Sequence, residues 1–256
     1  MVATSDGRAL AAADGKAPSF FLSSLAPLPN AECFFTTLLV RRGVASDWRS
    51  HKSRLTESCA EIFALPLPGE IDQDVAGAAA DHHTGALRVV LQRKHGRVES
   101  TVALSPTPTK AHSVHLATVG GRRGRWDHKW CDRRQLEEAS SLVGEGQIPL
   151  FLSDENGVLE TTWGNVASLI DGTLVFPQQA HNVLPGVTRA HALRAAARLG
   201  LRALEAPIEL DEALLWPMLT CSSLRGLVPV ATIDTRRLPA LPRAFRSLRD
   251  EVSGRL

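Results

Sequence analysis

The run "LPGVTRAHALRAAARLG", Leu184 to Gly200, is a chain break followed by a helix. Pro185 and Gly186 interrupt regular structure, and the residues from Val187 to Leu199 have helical apolar spacing. A helix opening this way leaves its first N–H groups and its positive dipole end free, and a glycine lets a ligand come close. A phosphate would suit such a terminus. Ordinary capping fits the same letters, with Thr188 as a good starting residue and Gly200 as a stop. The surrounding sequence has to separate the two readings.

Upstream, "IPLFLSDENGVLETTWGNVASLIDGTLVFP" (Ile148 to Pro177) reads as strands joined at Asn156-Gly157 and Asp171-Gly172, dipeptides suited to tight hairpin turns. A helix from Arg133 to about Val143 precedes it. Downstream come a short helix around Leu210 to Trp216, a strand pair within Met218 to Ile233, and a last helix from Pro239 to about Val252.

The first part of the chain is mixed. Trp48, Leu55, Cys59, Ile62 and Phe63 recur at helical intervals between Ser46 and Leu65. Leu87 to Ser105 reads as two strands around Lys94-His95-Gly96, and His112 to Val119 as another strand. "GGRRGRW", Gly120 to Trp126, breaks the pattern with glycine and positive charge. The expected organisation is a small α/β domain over 1–119, a linker over 120–125 and a larger sheet-and-helix domain over 126–256.

With 256 residues, 44% hydrophobic and 22% charged, the composition is that of an ordinary globular protein. A net charge of +2 gives no warrant for nucleic acid or a membrane surface as partner. The four cysteines, Cys33, Cys59, Cys131 and Cys221, lack C-x-x-C spacing, so the expectation is free thiols in a reducing compartment and no metal site. The N-terminus lacks a secretory pattern and no stretch of about 18 apolar residues occurs, which leads to a cytoplasmic expectation.

Several residues could carry chemistry. Lys129, in "RWDHKWCDRRQ", sits among aromatic neighbours, and a desolvated lysine with a lowered pKa is a nucleophile and proton carrier. Glu160 stands inside a strand otherwise suited to burial, where a carboxylate calls for a cationic partner. "DHHTG" (Asp81 to Gly85) lacks further ligands at metal-site spacing, and "GGRRGR" lacks the ending of a nucleotide-binding P-loop. Arg122, Arg123 and Arg125 read better as a solvated basic loop than as carboxylate ligands.

Taken in order, four blocks resemble the fold-type IV pyridoxal-phosphate enzymes, the class IV aminotransferase family. They are "FFTTLLVRRGVASDWRSHKSRL" (Phe34 to Leu55), the lysine block, "GVLETTWGNVASLIDGTLVFP" (Gly157 to Pro177) and Leu184 to Gly200. The resemblance spans about residues 33 to 232 and implies a two-domain α+β fold like that of D-amino-acid and branched-chain aminotransferases. It implies pyridoxal 5'-phosphate as cofactor, bonded through its aldehyde to Lys129, with Glu160 at the ring nitrogen. Arg54, Val187, Thr188 and Ser223 are then the expected phosphate partners, the substrate is a small amine, and the protein is a homodimer.

Two details lean toward the family's lyases, which release pyruvate and 4-aminobenzoate from 4-amino-4-deoxychorismate, over aminotransferases for branched-chain or D-amino acids. They are Phe35-Thr36-Thr37, where the aminotransferases more often carry a glutamate, and Arg133, four residues after Lys129, with Asp132 replacing the lyases' asparagine. The segment ahead of Phe34 departs from the family pattern, and the chain has no tyrosine.

Overall fold

A computed structural model describes residues 18–22, 33–122, 124–178 and 183–255. The unusual segment ahead of Cys33 and Arg123 lie outside the described residues. Strands β1 (Phe20–Phe21), β2 (Cys33–Arg41), β3 (Val44–Ala45), β4 (Thr84–Lys94) and β5 (Arg97–Ser105) come first. Then follow β6 (Val114–Gly120), β7 (Gln147–Leu152), β8 (Val158–Thr161), β9 (Asn165–Ile170), β10 (Thr173–Phe176) and β11 (Ala203–Glu205). The last are β12 (Met218–Ser222), β13 (Gly226–Ile233) and β14 (Arg236–Arg237). The helices are α1 (Trp48–Ser58), α2 (Ile71–Ala80), α3 (Arg134–Leu142), α4 (Val187–Arg198), α5 (Leu210–Ala213) and α6 (Arg243–Arg255).

Two sheets divide the chain. The smaller has the order β3-β2-β4-β5, all antiparallel. Strand alternation sends Phe34, Leu38, Leu87, Val89 and Leu91 into one core with Leu55, Ile71 and Val75 of α1 and α2. Phe35, Thr37 and Arg88 point to the opposite face, and Thr37 is paired directly with Arg88. The β4–β5 turn falls at His95 and Gly96, both at positive φ (48° and 76°), as the Lys-His-Gly stretch predicts.

The larger sheet runs β1-β6-β7-β8-β9-β12-β13-β14, and a β6–β13 pairing closes six of these strands into a barrel. Leu116, Leu150, Val158, Val166, Met218 and Val228 belong to its buried interior. Alternate residues Ala167, Leu169, Leu219 and Cys221 point outward and pack under Ala192, Ala195 and Ala196 of α4 and Phe245 and Leu248 of α6. Small alanines let α4 lie close to the strands, which fixes where its N-terminus ends up.

Two expectations need correcting. The expected small domain takes in residues 112–119, yet β6 hydrogen-bonds to β7 and β13 and is part of the barrel, so the sheets divide between β5 and β6. Length and alternation predicted the strand but carried no information about its partner. The thiols are not all free: Cys33 and Cys131 form a disulfide with a Cα–Cα distance of 5.4 Å, across 98 residues of sequence. Cys59 and Cys221 remain as buried free cysteines. C-x-x-C spacing could not have revealed a bridge made by strand pairing.

The disulfide sets a measurable expectation. Thiol titration of the unfolded, unreduced protein gives two reactive thiols rather than four. Reduction lowers stability by about 4–5 kcal/mol in denaturant unfolding, the order expected for so long a closed loop.

Candidate active site

The lysine segment is pinned to β2. Phe35 N–H donates to the Lys129 carbonyl (2.9 Å), Cys131 N–H donates to the Cys33 carbonyl (3.0 Å), and the disulfide closes the same junction. Along this short extended piece His128 and Trp130 turn one way, Trp130 packing against the small-domain core. Lys129 turns the other way, its Nζ lying 5.0 Å from the centroid of the Phe35 ring.

Opposite stand β8, β9 and the start of α4. The turn "TTWG" is held by Thr161, whose Oγ1 accepts from Gly164 N–H (3.1 Å) and donates to the Gly164 carbonyl (2.8 Å). It brings Glu160 and Asn165 into direct cross-strand register. Asn165 Nδ2 donates to Glu160 Oε2 (3.1 Å) and to the Leu184 carbonyl (2.9 Å), tying the carboxylate to the chain break before α4. Gly186 is the N-cap and makes no side-chain cap bond. A β-carbon there would run into Asn165 Oδ1, so only glycine fits.

Thr188 is therefore not the capping residue. It lies in the first turn of α4, its hydroxyl 3.3 Å from that of Ser223. Arg54 reaches the same place from α1, donating to the Pro185 carbonyl (3.3 Å) and to Thr36 Oγ1 (2.7 Å).

The sequence-predicted residues are thereby brought together. Arg54, Lys129, Val187, Thr188 and Ser223 line one cleft of about 180 Å³, open to solvent. Glu160 lines the adjoining recess, again with Lys129. Sequence reasoning missed four neighbours: Arg88, Arg122, Asn165 and His51. Arg122, read as part of a solvated loop, is buried with its side chain 3% exposed and donates to Glu160 Oε1 at 2.6 Å. It also stacks on Trp126 (4.0 Å) and Phe151 (4.8 Å). Its partner lies 38 residues away, and no local pattern shows such a pair. Arg88 had one legible signal, a charge alternating with buried Leu87 and Val89 on a strand.

The electrostatics are one-sided. Burial, then Arg54, Arg133 and Arg88, push Lys129 down from 10.5 to about 7 against the opposing pull of Glu160. Burial first, then Arg88, lowers Arg133 to about 10; burial lowers Arg54 to about 10 as well. Both arginines stay charged at neutral pH, while about half of the lysine amine is neutral there and free to act as a nucleophile or to accept a proton.

Together the closed barrel, the flanking antiparallel sheet and the cleft between them form the two-part α+β scaffold of fold-type IV enzymes. The chain belongs to the amino-transferase class IV family, whose profile matches residues 33–233. A hypothetical aminotransferase from Mycobacterium tuberculosis, in a form bound to α-ketoglutarate and PMP, is similar at 25% identity and TM-score 0.75, covering 91% of this chain and 95% of that one. A 4-amino-4-deoxychorismate lyase from Pseudomonas aeruginosa is similar at 23% identity and TM-score 0.75, covering 94% and 97%. The branched-chain amino acid aminotransferase of Escherichia coli shares 16% identity at TM-score 0.73, covering 88% and 86%. No curated protein matches by sequence. No helix among the described residues is long and apolar enough to cross a membrane.

Two outcomes test this geometry. Gly186→Ala displaces Asn165 and destabilises the fold by about 1–3 kcal/mol, the usual range for overpacking, read as a lower denaturation midpoint. With Lys129 near 7, its neutral fraction falls about tenfold per pH unit below that value. The rate at which the cofactor-free protein captures an aldehyde at Lys129 should drop about tenfold from pH 6 to pH 5 and level off above about pH 8, followed by borohydride trapping and peptide mapping.

Proposed function

We propose that the protein is a pyridoxal-phosphate-dependent lyase that splits 4-amino-4-deoxychorismate into pyruvate and 4-aminobenzoate, a step toward folate. The donor set fits the cofactor: a neutral amine for the aldehyde, a buried carboxylate for the ring nitrogen, and free helix N–H groups with two hydroxyls and an arginine for the phosphate. Bound there, pyridoxal phosphate supplies an electron-accepting ring conjugated to the substrate nitrogen.

One observation supports a substrate with two carboxylates, as the lyase substrate has. After Arg54 is assigned to the phosphate and Arg122 to Glu160, three arginines remain at the cleft: Arg225, stacked on Trp163 at 3.9 Å, and two that lie over the Phe35 ring. The guanidiniums of Arg88 and Arg133 lie 4.5 and 5.6 Å from the Phe35 centroid, and neither has an ion-pair partner among the described residues. Arg133 donates to the Thr162 carbonyl, at 3.4 Å. Two unneutralised guanidiniums suit a substrate that carries two carboxylates, and the Phe35 ring between them offers a flat surface for a six-membered ring. Lys129 Nζ, freed when the substrate amine takes its place, removes the proton from the amine-bearing ring carbon. It then returns a proton to the departing three-carbon fragment as the ring becomes aromatic. Glu160, held by Arg122, Asn165 and the Leu184 N–H, would pair with the ring nitrogen of the bound cofactor and keep it protonated.

A second reading is an aminotransferase that uses a 2-oxo acid acceptor. The 25% identity to the Mycobacterium tuberculosis protein favours it, and the same two arginines would hold a dicarboxylic acceptor. In either case we propose a homodimer, which sedimentation would test. Purified protein loaded with pyridoxal phosphate is expected to release equimolar pyruvate and 4-aminobenzoate from aminodeoxychorismate. Arg88→Ala raises KM at least tenfold, the order expected when a charge-assisted pair to a carboxylate is lost. Amino transfer to 2-oxoglutarate without pyruvate release would select the second reading.

A further inference from the structure

The relay that lies behind Arg54 is not explained by catalysis. Thr36 Oγ1 lies 2.7 Å from Arg54 Nη2 and 2.6 Å from His51 Nδ1, with Thr36 fully buried and His51 only 1% exposed. A guanidinium only donates, so Thr36 Oγ1 accepts from Arg54; His51 Nδ1 is the one acceptor in reach of the hydroxyl hydrogen among the described residues, so that hydrogen is assigned to it. That nitrogen must then be an acceptor, which makes His51 the neutral tautomer protonated on Nε2.

The surroundings hold it in that state. Thr36 faces it from β2, Arg54 from its own helix α1, Lys129 from the lysine segment and His191 from α4, the last paired to Asp47 at 3.2 Å. Burial first, then the charges of Arg54, Lys129 and His191, keep its pKa well below 6.5. A proton on Nδ1 would turn the acceptor into a second donor and leave the Thr36 hydroxyl hydrogen with no acceptor in a dry site. The cost of burying a polar ring here is explained if its lone pair is needed.

We propose that His51 is a positioning residue that acts through Thr36 to aim the Arg54 guanidinium at the anion held by the first turn of α4. The Thr36 bond fixes one amino group of Arg54 and the Pro185 carbonyl the other, so the fork is set from both sides where Arg54 lines the cleft. Without the His51 acceptor, the Thr36 hydroxyl rotates to find another partner and its lone pair leaves Arg54. This inference rests on the reading of α4 and Arg54 as the phosphate site.

The test compares pyridoxal phosphate with pyridoxal, which lacks the phosphate, as ligands of the cofactor-free protein, by calorimetry. The wild type should bind the phosphorylated form much more tightly. A wild type without that preference overturns the phosphate-site reading itself. His51→Phe, which keeps the ring and loses the acceptor, and Thr36→Val should each reduce the preference about tenfold while leaving pyridoxal affinity unchanged, the order expected for a bond to a charged group. His51→Asn, whose amide oxygen can replace Nδ1, and Thr36→Ser should retain it.

Lowering the pH should erode the preference faster in the wild type than in His51→Asn, which has no titrating ring. A wild-type preference that His51→Phe and Thr36→Val leave intact overturns the relay alone. So does a fall in pyridoxal affinity equal to that of the phosphate form. If either variant does not fold, the nitrogen-15 shifts of His51 in the wild type decide, and a protonated Nδ1 overturns the proposal.

Discussion

Two backbone hydrogen bonds between the lysine segment and β2 hold the site together. Phe35 and Cys131 each donate across this junction, and everything chemical is arranged about it. The pairing sets the alternation that turns Lys129 into the cleft while His128 and Trp130 anchor the piece from behind. It also brings the barrel's connecting segment against the small sheet. The cleft is therefore the seam between two separately packed cores, and its walls are as rigid as the cores themselves.

The cleft gathers like charges at a cost to stability. Arg54, Arg88, Lys129 and Arg133 approach one another with Glu160 as the nearby opposing carboxylate, and Arg122 already occupies one of its oxygens. In water such groups would separate; here the two packed cores fix the backbone that carries them. The lysine responds by giving up its proton, and the arginines cannot do so at neutral pH, so their charge remains for an anion. The site is stabilised when an anionic ligand arrives, as expected where function and stability oppose one another.

What could be read in the sequence follows the range of the forces involved. The hairpins at Asn156-Gly157 and Asp171-Gly172 and the helix after Gly186 were legible because turn chemistry and helical periodicity act over a few residues. The resemblance placed Arg54, Lys129, Glu160, Thr188 and Ser223, and the structure finds them around one seam. Arg122 looked like a solvated loop because its salt-bridge partner is set by sheet pairing rather than by neighbours in sequence. The Cys33–Cys131 bridge and the placement of β6 were hidden for the same reason. Gly186 read as a chain break; that it must also make room for Asn165 became visible only in three dimensions.

Trp126, Trp130 and Trp163 all border the recess beside Lys129 and Glu160. They are three of the five tryptophans in a chain that has no tyrosine. Nearly all of the ultraviolet emission of the molecule therefore comes from indoles, and most of these lie within a few side chains of the Lys129 amine. Any absorbing aromatic that enters the seam must quench that light, so the protein reports its own occupancy without a label.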